Sequence, residues 1–177
     1  LGYIILFTEI RRKFLMLPPR SVYPVLEVIA VLLLLNNSIV FAQTTQERVH
    51  EMSHSVMPFD MPKTIHIFKM TESGGIERIL VRDPREADQM ALIRRHLKRE
   101  AEKFQRGDYS DPAKLHGADM PGLKELESGA SHINISYSEL PAGAQITFKT
   151  ENLQLLTAIH RWFGAQLSEH GADAKAE

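Results

Sequence analysis

An α+β fold, a two-layer sandwich with a four-stranded antiparallel sheet, is predicted by three features of this 177-residue chain. Two stretches alternate apolar and polar residues on either side of a short turn, the signature of a β-hairpin. Each is followed by a stretch whose apolar residues recur every three or four positions, the signature of an amphipathic helix. The hairpin–helix unit occurs twice, so the chain reads as a ββα-ββα pseudo-repeat. Its two hairpins can join edge to edge, and its two helices can cover one face of the resulting sheet.

The first unit begins at KTIHIFKMTESGGIERILVRD (63–83). Ile65 and Ile67 alternate with His66 and Phe68, Ser73-Gly74-Gly75 supplies turn residues, and Ile79 and Val81 resume the alternation. DPREADQMALIRRHLKREAEKF (83–104) then opens with Asp83 as N-cap acceptor, Pro84 at the first helical position and Glu86 three residues after the cap. Met90, Ile93, Leu97, Ala101 and Phe104 share one helical face, and Gly107 ends the run. Residues 107–130 are rich in Gly, Pro and Asp and read as irregular, with one helical turn around Leu123–Leu126. The second unit alternates Ile133, Ile135 and Tyr137, turns at Pro141-Ala142-Gly143 and resumes with Ile146 and Phe148. Its helix places Leu156, Ile159, Phe163 and Leu167 on one face and closes at Gly171.

Residues 1–42 have the parts of an export signal, most plainly from Met16 onward. Arg20 supplies the basic start, Val28–Leu35 the apolar run, and Val40-Phe41-Ala42 the small-residue cleavage site before Gln43. A spanning helix needs about 20 consecutive apolar residues, more than this run offers, so no stable membrane insertion is expected once the signal is removed. The expected organisation is a removable signal (1–42), a flexible lead-in (43–56), one α+β domain (57–171) and a disordered tail (172–177) in a periplasmic or secreted protein.

Signal removal takes four basic residues (Arg11, Arg12, Lys13, Arg20) and two acidic ones (Glu9, Glu27), leaving seventeen basic against twenty acidic. A mildly acidic domain lacks the basic stripe that nucleic-acid binding requires. Its basic cluster, RRHLKR at 94–99, runs straight into Glu100 and Glu102 and reads as a solvated helix face. The chain has no cysteine, which excludes disulfides and thiolate metal sites; an exported domain without them must draw its stability from its core.

Two clusters combine imidazole with thioether: His54-x2-Met57-x3-Met61, running on to His66, and His116-x3-Met120. Thioethers and imidazoles suit copper, thioethers especially Cu(I), and they resist the oxidation that a thiol would suffer outside the cell. His54, Met57, Met61, His66, His116 and Met120 are therefore the candidate metal ligands. Against this, methionine is also a flexible filler of irregular gaps, so Met57-Pro58 and Met120-Pro121 read equally as turn anchors. His96 and His160 fall on helix borders, where half-buried structural histidines are common, and His50 and His170 fall in the lead-in and at the helix end.

No catalytic constellation stands out. Asp60, Asp108, Asp111 and Asp119 lie near histidines, and Ser131 adjoins His132. The nucleophile elbow, the zinc-protease helix motif, the phosphate loop and the dinucleotide fingerprint are all absent.

MPFDM with T-x-H-x-F (57–68), ALIRRHL with GDYSDP (91–112), LHGADMPGL (115–123) and HRWFGAQLSEHG (160–171) together resemble a group of small exported bacterial proteins with no established function. The resemblance spans nearly all of residues 50–171 and implies an exported single domain. Some members of the group carry the name aspartate carbamoyltransferase. That enzyme is a much longer, two-domain cytosolic protein, and its Ser-Thr-Arg-Thr-Arg phosphate loop has no counterpart in this chain, so its chemistry is not carried over. The expected function is binding of a small ligand, with copper or another soft or borderline metal as its sharpest form. The alternative is a non-catalytic interaction module, or a homodimer, docking through a sheet face left apolar by Phe68, Met70 and Leu80.

Overall fold

Thr64–Thr71 (β1) and Gly74–Val81 (β2) pair antiparallel from Thr64↔Val81 to Thr71↔Gly74, so the turn between them is Glu72-Ser73 alone. This computed structural model describes residues 46, 47 and 49–177; the export segment and most of residues 43–48 lie outside them. Asn134–Leu140 (β3) and Gly143–Lys149 (β4) form the second hairpin around Pro141-Ala142. The hairpins join through β2 and β4, antiparallel from Gly74↔Lys149 to Leu80↔Gly143. Gly74 and Gly75, expected in the turn, belong to β2 for steric reasons. A Cβ on Gly75 would run into the ring of Phe163, and one on Gly74 into the backbone carbonyl of Phe148.

The fold is α+β, but its sheet is five-stranded and mixed where four antiparallel strands were expected. Ala174–Ala176 (β5) adds to the free edge of β1 in parallel register, His66↔Ala174 to Phe68↔Ala176, giving the order β3-β4-β2-β1-β5. Residues 172–177, expected as a disordered tail, are thus structured. The free edge of β1 offers backbone donors and acceptors to any strand, and the Glu177 N–H takes one by donating to the Phe68 carbonyl at 3.1 Å. The Glu177 carboxylate also pairs with Lys69, at 3.2 Å, and with Arg78. The lead-in is likewise part of the domain: residues 49–53 are helical, and Val49 and Ser53 are buried.

Helix α1 (Ala87–Gln105) starts later than the cap pattern predicts. The Asp83 carboxylate is engaged by the N–H and guanidinium of Arg85, so it closes a turn before the helix rather than capping it. Two short helices, α2 (Ser110–His116) and α3 (Leu123–Gly129), occupy the segment expected to be mostly irregular. Helix α4 (Leu153–His170) has a true cap: the Asn152 side chain accepts from Gln154 N–H and Leu155 N–H at 2.9 and 3.2 Å.

Each long helix packs mainly on the hairpin that does not precede it. Helix α1 lies on β3 and β4, where Arg94 donates to the carbonyls of Leu140 (2.9 Å) and Gly143 (3.2 Å). Helix α4 lies on β1, β2 and β5, and His160 Nε2 donates to the carbonyls of Thr71 (3.1 Å) and Gly74 (2.9 Å). Both cover the same face, because Trp162 of α4 meets Phe104 of α1 and Phe148 of β4 at ring separations of 5.7 and 5.6 Å. His66, Phe68, Glu77 and Ile79 therefore point toward the helices, with Ile65, Arg78 and Leu80 on the opposite face. This separates the three residues expected to form one apolar patch. Phe68 is buried against Phe163, Met70 is exposed beyond it on the same face, and Leu80 lies across the sheet. Among the described residues, no helix is long and apolar enough to cross a membrane.

The Gly75–Phe163 contact makes a sharp test. Gly75→Ala should lower stability by about 1–3 kcal/mol through overpacking, read as a lower denaturant midpoint. A neutral or stabilised variant, as loss of unfolded-chain entropy alone would produce, would show that the close approach does not exist.

Candidate functional site

The buried stripes of both long helices carry polar pairs. On α1 the stripe Ile93, Leu97, Ala101, Phe104 includes His96 and Glu100; on α4 the stripe Leu155, Ile159, Trp162, Phe163 includes Gln166 and His170. In each pair the residues are four apart, so they lie one above the other on the same side of the helix. From the sheet, β1 turns His66 and β2 turns Glu77 to the same side. His116 joins them from the last turn of α2. All seven are between 3% and 9% exposed, an unusual density of buried polar groups for a core of this size.

They line one cavity of about 50 Å³, walled by Met57, Ile79, Leu97, Leu115 and Trp162, with half-buried Val56, Asp111 and Pro112 also lining it. At about 10–15 Å³ per water centre this holds a few waters or a ligand of a few atoms. His170 sits at the middle of the imidazole cluster, stacked 4.8 Å from His66 and edge-on 5.0 Å from His116. Phe59 covers the other side, 6.0 Å from His66 and 5.6 Å from His96.

Hydrogen bonds fix two tautomers. The Glu169 carboxylate lies 2.8 Å from His116 Nδ1; a carboxylate only accepts, so neutral His116 is protonated at Nδ1. His96 Nδ1 is 3.1 Å from the Arg99 guanidinium, which only donates, so neutral His96 is protonated at Nε2. His66 Nδ1, His170 Nδ1 and Trp162 Nε1 are buried with no hydrogen-bond partner, and all three residues line the cavity. Unsatisfied buried polar groups are few in native proteins, so three that line one space make it the candidate site.

Burial dominates the protonation of the chamber. It depresses His66 to about 3, with His96 and His116 adding to the effect, and His96 to about 4, with Arg99 adding. His170 is driven well below the ordinary imidazole range by burial and then by His66 and His116. Burial raises Glu77 to about 8, with the neighbouring Glu100 contributing. Glu100 rises to about 7, first through burial and then through its hydrogen bond to Asp111 and that residue's charge. The Arg99 guanidinium 3.3 Å away lowers Glu100 but is half exposed, so solvent screens it and burial prevails. At neutral pH the chamber holds His66, His96 and His170 uncharged, a protonated Glu77 and, at its edge, an Asp111 carboxylate anchored 2.9 Å from Lys103.

The six expected metal ligands do not share this point. His54 is exposed in the turn before Met57; Met61 and Met120 are buried in the hydrophobic core, outside the chamber; only Met57, His66 and His116 line it. The thioethers therefore act mostly as packing, the use their flexibility suits. The expected face of α4 was also rotated: Leu156 and Leu167 are only half buried, while Trp162 is fully buried and His170, placed near the tail, closes the chamber. Ser131 and His132 are both exposed. The readable but unused signal was a polar pair four residues apart on each core stripe. Among the described residues, no three His, Asp or Glu side chains already converge on one metal position. Comparison with protein-family models, with curated proteins and with solved structures finds no match for this chain.

The chamber predicts an unusual pH profile of stability. The folded state keeps protons on Glu77 and Glu100 that the unfolded chain loses near 4.5, so stability falls as pH rises from there through about 8. It lacks protons on His66, His96 and His170 that the unfolded chain gains below 6.5, so stability also falls as pH drops below 6.5. Between 4.5 and 6.5 the two effects largely cancel. Denaturation midpoints should peak near pH 6.5, slope gently to 4.5 and drop steeply below it. Glu77→Gln should flatten the alkaline limb; an unchanged limb would mean Glu77 is ionised in the native state.

Proposed function

We propose that this is an exported small-ligand-binding protein whose ligand occupies the chamber between the sheet and the two long helices. The observation that carries the reading is the convergence of His66, His96, His116, His170, Glu77 and Glu100 on one small cavity, with buried imidazole and indole nitrogens left unpartnered. A protein interior tolerates such a set where it has work to do. A packed hydrocarbon core in the same place would be more stable than six buried titratable groups. The chamber is far smaller than the roughly 300–1,000 Å³ of drug-sized sites, so the ligand is an ion or a molecule of a few atoms. Export rests on the basic, apolar and small-residue segments of residues 16–42, and a periplasmic or secreted location follows from it.

The reading is tested by thermal denaturation of the purified protein against first-row metal ions, small amines and small carboxylic acids. A ligand at a hundred times its Kd stabilises by about 2.7 kcal/mol, a rise of several degrees for a domain of this size. At least one class should raise the midpoint in the native protein and not in His66→Phe, whose larger ring fills the cavity. If no class does, or if the rise survives the substitution, the chamber is not the binding site.

A further inference from the structure

Trp162 limits what the chamber can hold. Its indole N–H is buried, unpartnered and able only to donate, so a ligand must bring an acceptor. Two more donors line the same space. His96 accepts from the Arg99 guanidinium at Nδ1 and carries its own proton at Nε2. Glu77, kept neutral by burial, carries a carboxyl proton. A lone pair stands against these donors. The Asp173 backbone carbonyl accepts from His66, and Nδ1 of that ring has no partner, so the bond is made by Nε2. Neutral His66 therefore keeps a lone pair at Nδ1 that calls for a donor. Met57, Ile79, Leu97 and Leu115 supply an aliphatic part of the wall.

Resting on the chamber reading, we propose that the ligand is a short-chain monocarboxylic acid, of the size of acetic or propionic acid, bound together with one proton. Its carbonyl oxygen accepts from Trp162 Nε1–H, its hydroxyl donates to His66 Nδ1, and its alkyl end packs on the aliphatic wall. These groups border one cavity of about 50 Å³, so a molecule of a few heavy atoms that fills it reaches every side. A carboxyl group suits the inventory because it accepts at two oxygens and donates from one. A primary amide has the opposite balance, one accepting oxygen and two donor hydrogens, and an ammonium group only donates.

The proton follows from the enclosure. A carboxylate carried in alone would be a buried charge, and such a group shifts its pKa and neutralises instead. Glu77 shows that outcome in the same space, since burial, with Glu100 adding to it, raises its carboxyl to about 8. One carboxylate and one proton from solution thus give one neutral acid in the chamber, and no other bond forms or breaks. The titratable groups around it are His66 and Glu77 from the sheet, His96 and Glu100 from α1, His116 from α2 and His170 from α4. The charges behind them are matched: Asp111 by Lys103 at 2.9 Å, and Glu169 by its hydrogen bond to His116, while Arg99 reinforces the His96 donor.

The chain has a single tryptophan, so its indole reports on the chamber alone. Acetate and propionate, titrated into the purified protein at pH 5.5, should bind one per chain and shift the Trp162 indole ¹H–¹⁵N resonance. Between pH 5.5 and 6.5 the ligand in solution is ionised, since a carboxyl group ordinarily titrates near 4.3, while Glu77 stays protonated and His66, His96 and His170 stay neutral. Uptake of one proton per ligand should therefore lower the affinity about tenfold across that interval. Propionamide, equal in size but without an acidic proton, should bind at least tenfold more weakly at pH 5.5. His66→Phe should abolish binding; the indole shift and the pH slope are read on the unaltered protein, so the test stands if that variant does not fold. An unmoved Trp162 resonance, an affinity that does not change with pH, or propionamide binding as tightly as propionate would overturn the proposal. If an amine or a metal ion then still raises the midpoint in a His66-dependent way, only the acid assignment falls; if nothing does, the chamber reading falls with it.

Discussion

Trp162 is the contact on which the arrangement of this fold turns. Its indole is fully buried and meets Phe104 and Tyr109 at near right angles from one side, with Phe148 edge-on from the sheet and Phe163 beside it. Edge-to-face aromatic contacts add about 0.5–1.5 kcal/mol each beyond the area they bury, and they are directional. This cluster therefore fixes the spacing of the two long helices over the sheet as well as holding them there. Gly75 belongs to the same constraint, since Phe163 reaches the strand only where no Cβ stands in its way.

The chamber is the consequence of that spacing. Helices α1 and α4, held apart by the indole and its neighbours, leave a gap toward the N-terminal end of β1, and the stripes that face the gap carry His96, Glu100, Gln166 and His170 instead of aliphatic residues. Trp162 and Phe104 form part of its wall, so the same rings that stabilise the layer interface also bound the polar space. The segment before β1 lines the chamber with Val56 and Met57 and packs Phe59 against His66 and His96, and Lys114 holds it by donating to the Ser55 carbonyl at 3.2 Å. Stability and site are thus in tension within a few ångströms. The aromatic cluster contributes to folding, while the buried carboxyls and imidazoles detract from it over most of the pH range.

The lead-in from residue 46 and the C-terminal residues have a larger part than their composition implies. The lead-in brings Val49 into the core, His50 bonds to Asp173, and the Gln46 side chain donates to the Ser168 carbonyl at 3.1 Å. The C-terminal residues extend the sheet along β1. Residues 46–51 and 172–173 therefore meet beside His170, and the outer boundary of the chamber is made by segments that are adjacent only in space.

Alternation in residues 64–81 and 133–148, and three-four spacing in 90–104 and 153–170, made the hairpins and helices legible, because strand and helix periods are set locally by backbone geometry. His66 and His116 were legible as site residues, but Glu77 was not singled out and Glu100 read as part of a solvated helix face, and the meeting point of these groups was not legible at all. His66 and His170 stack although 104 positions apart in the chain, and no local period encodes such a contact. Spacing placed Met61 and Met120 beside histidines in sequence, whereas folding turned both into hydrocarbon and brought His96, His170, Glu77 and Glu100 together in their place. Which face of α4 is inward, whether the tail pairs with β1 and where the polar stripes converge were all decided by tertiary packing. The physical reason is that burial is a property of what lies across the layer, and the chain carries that information only once it has folded.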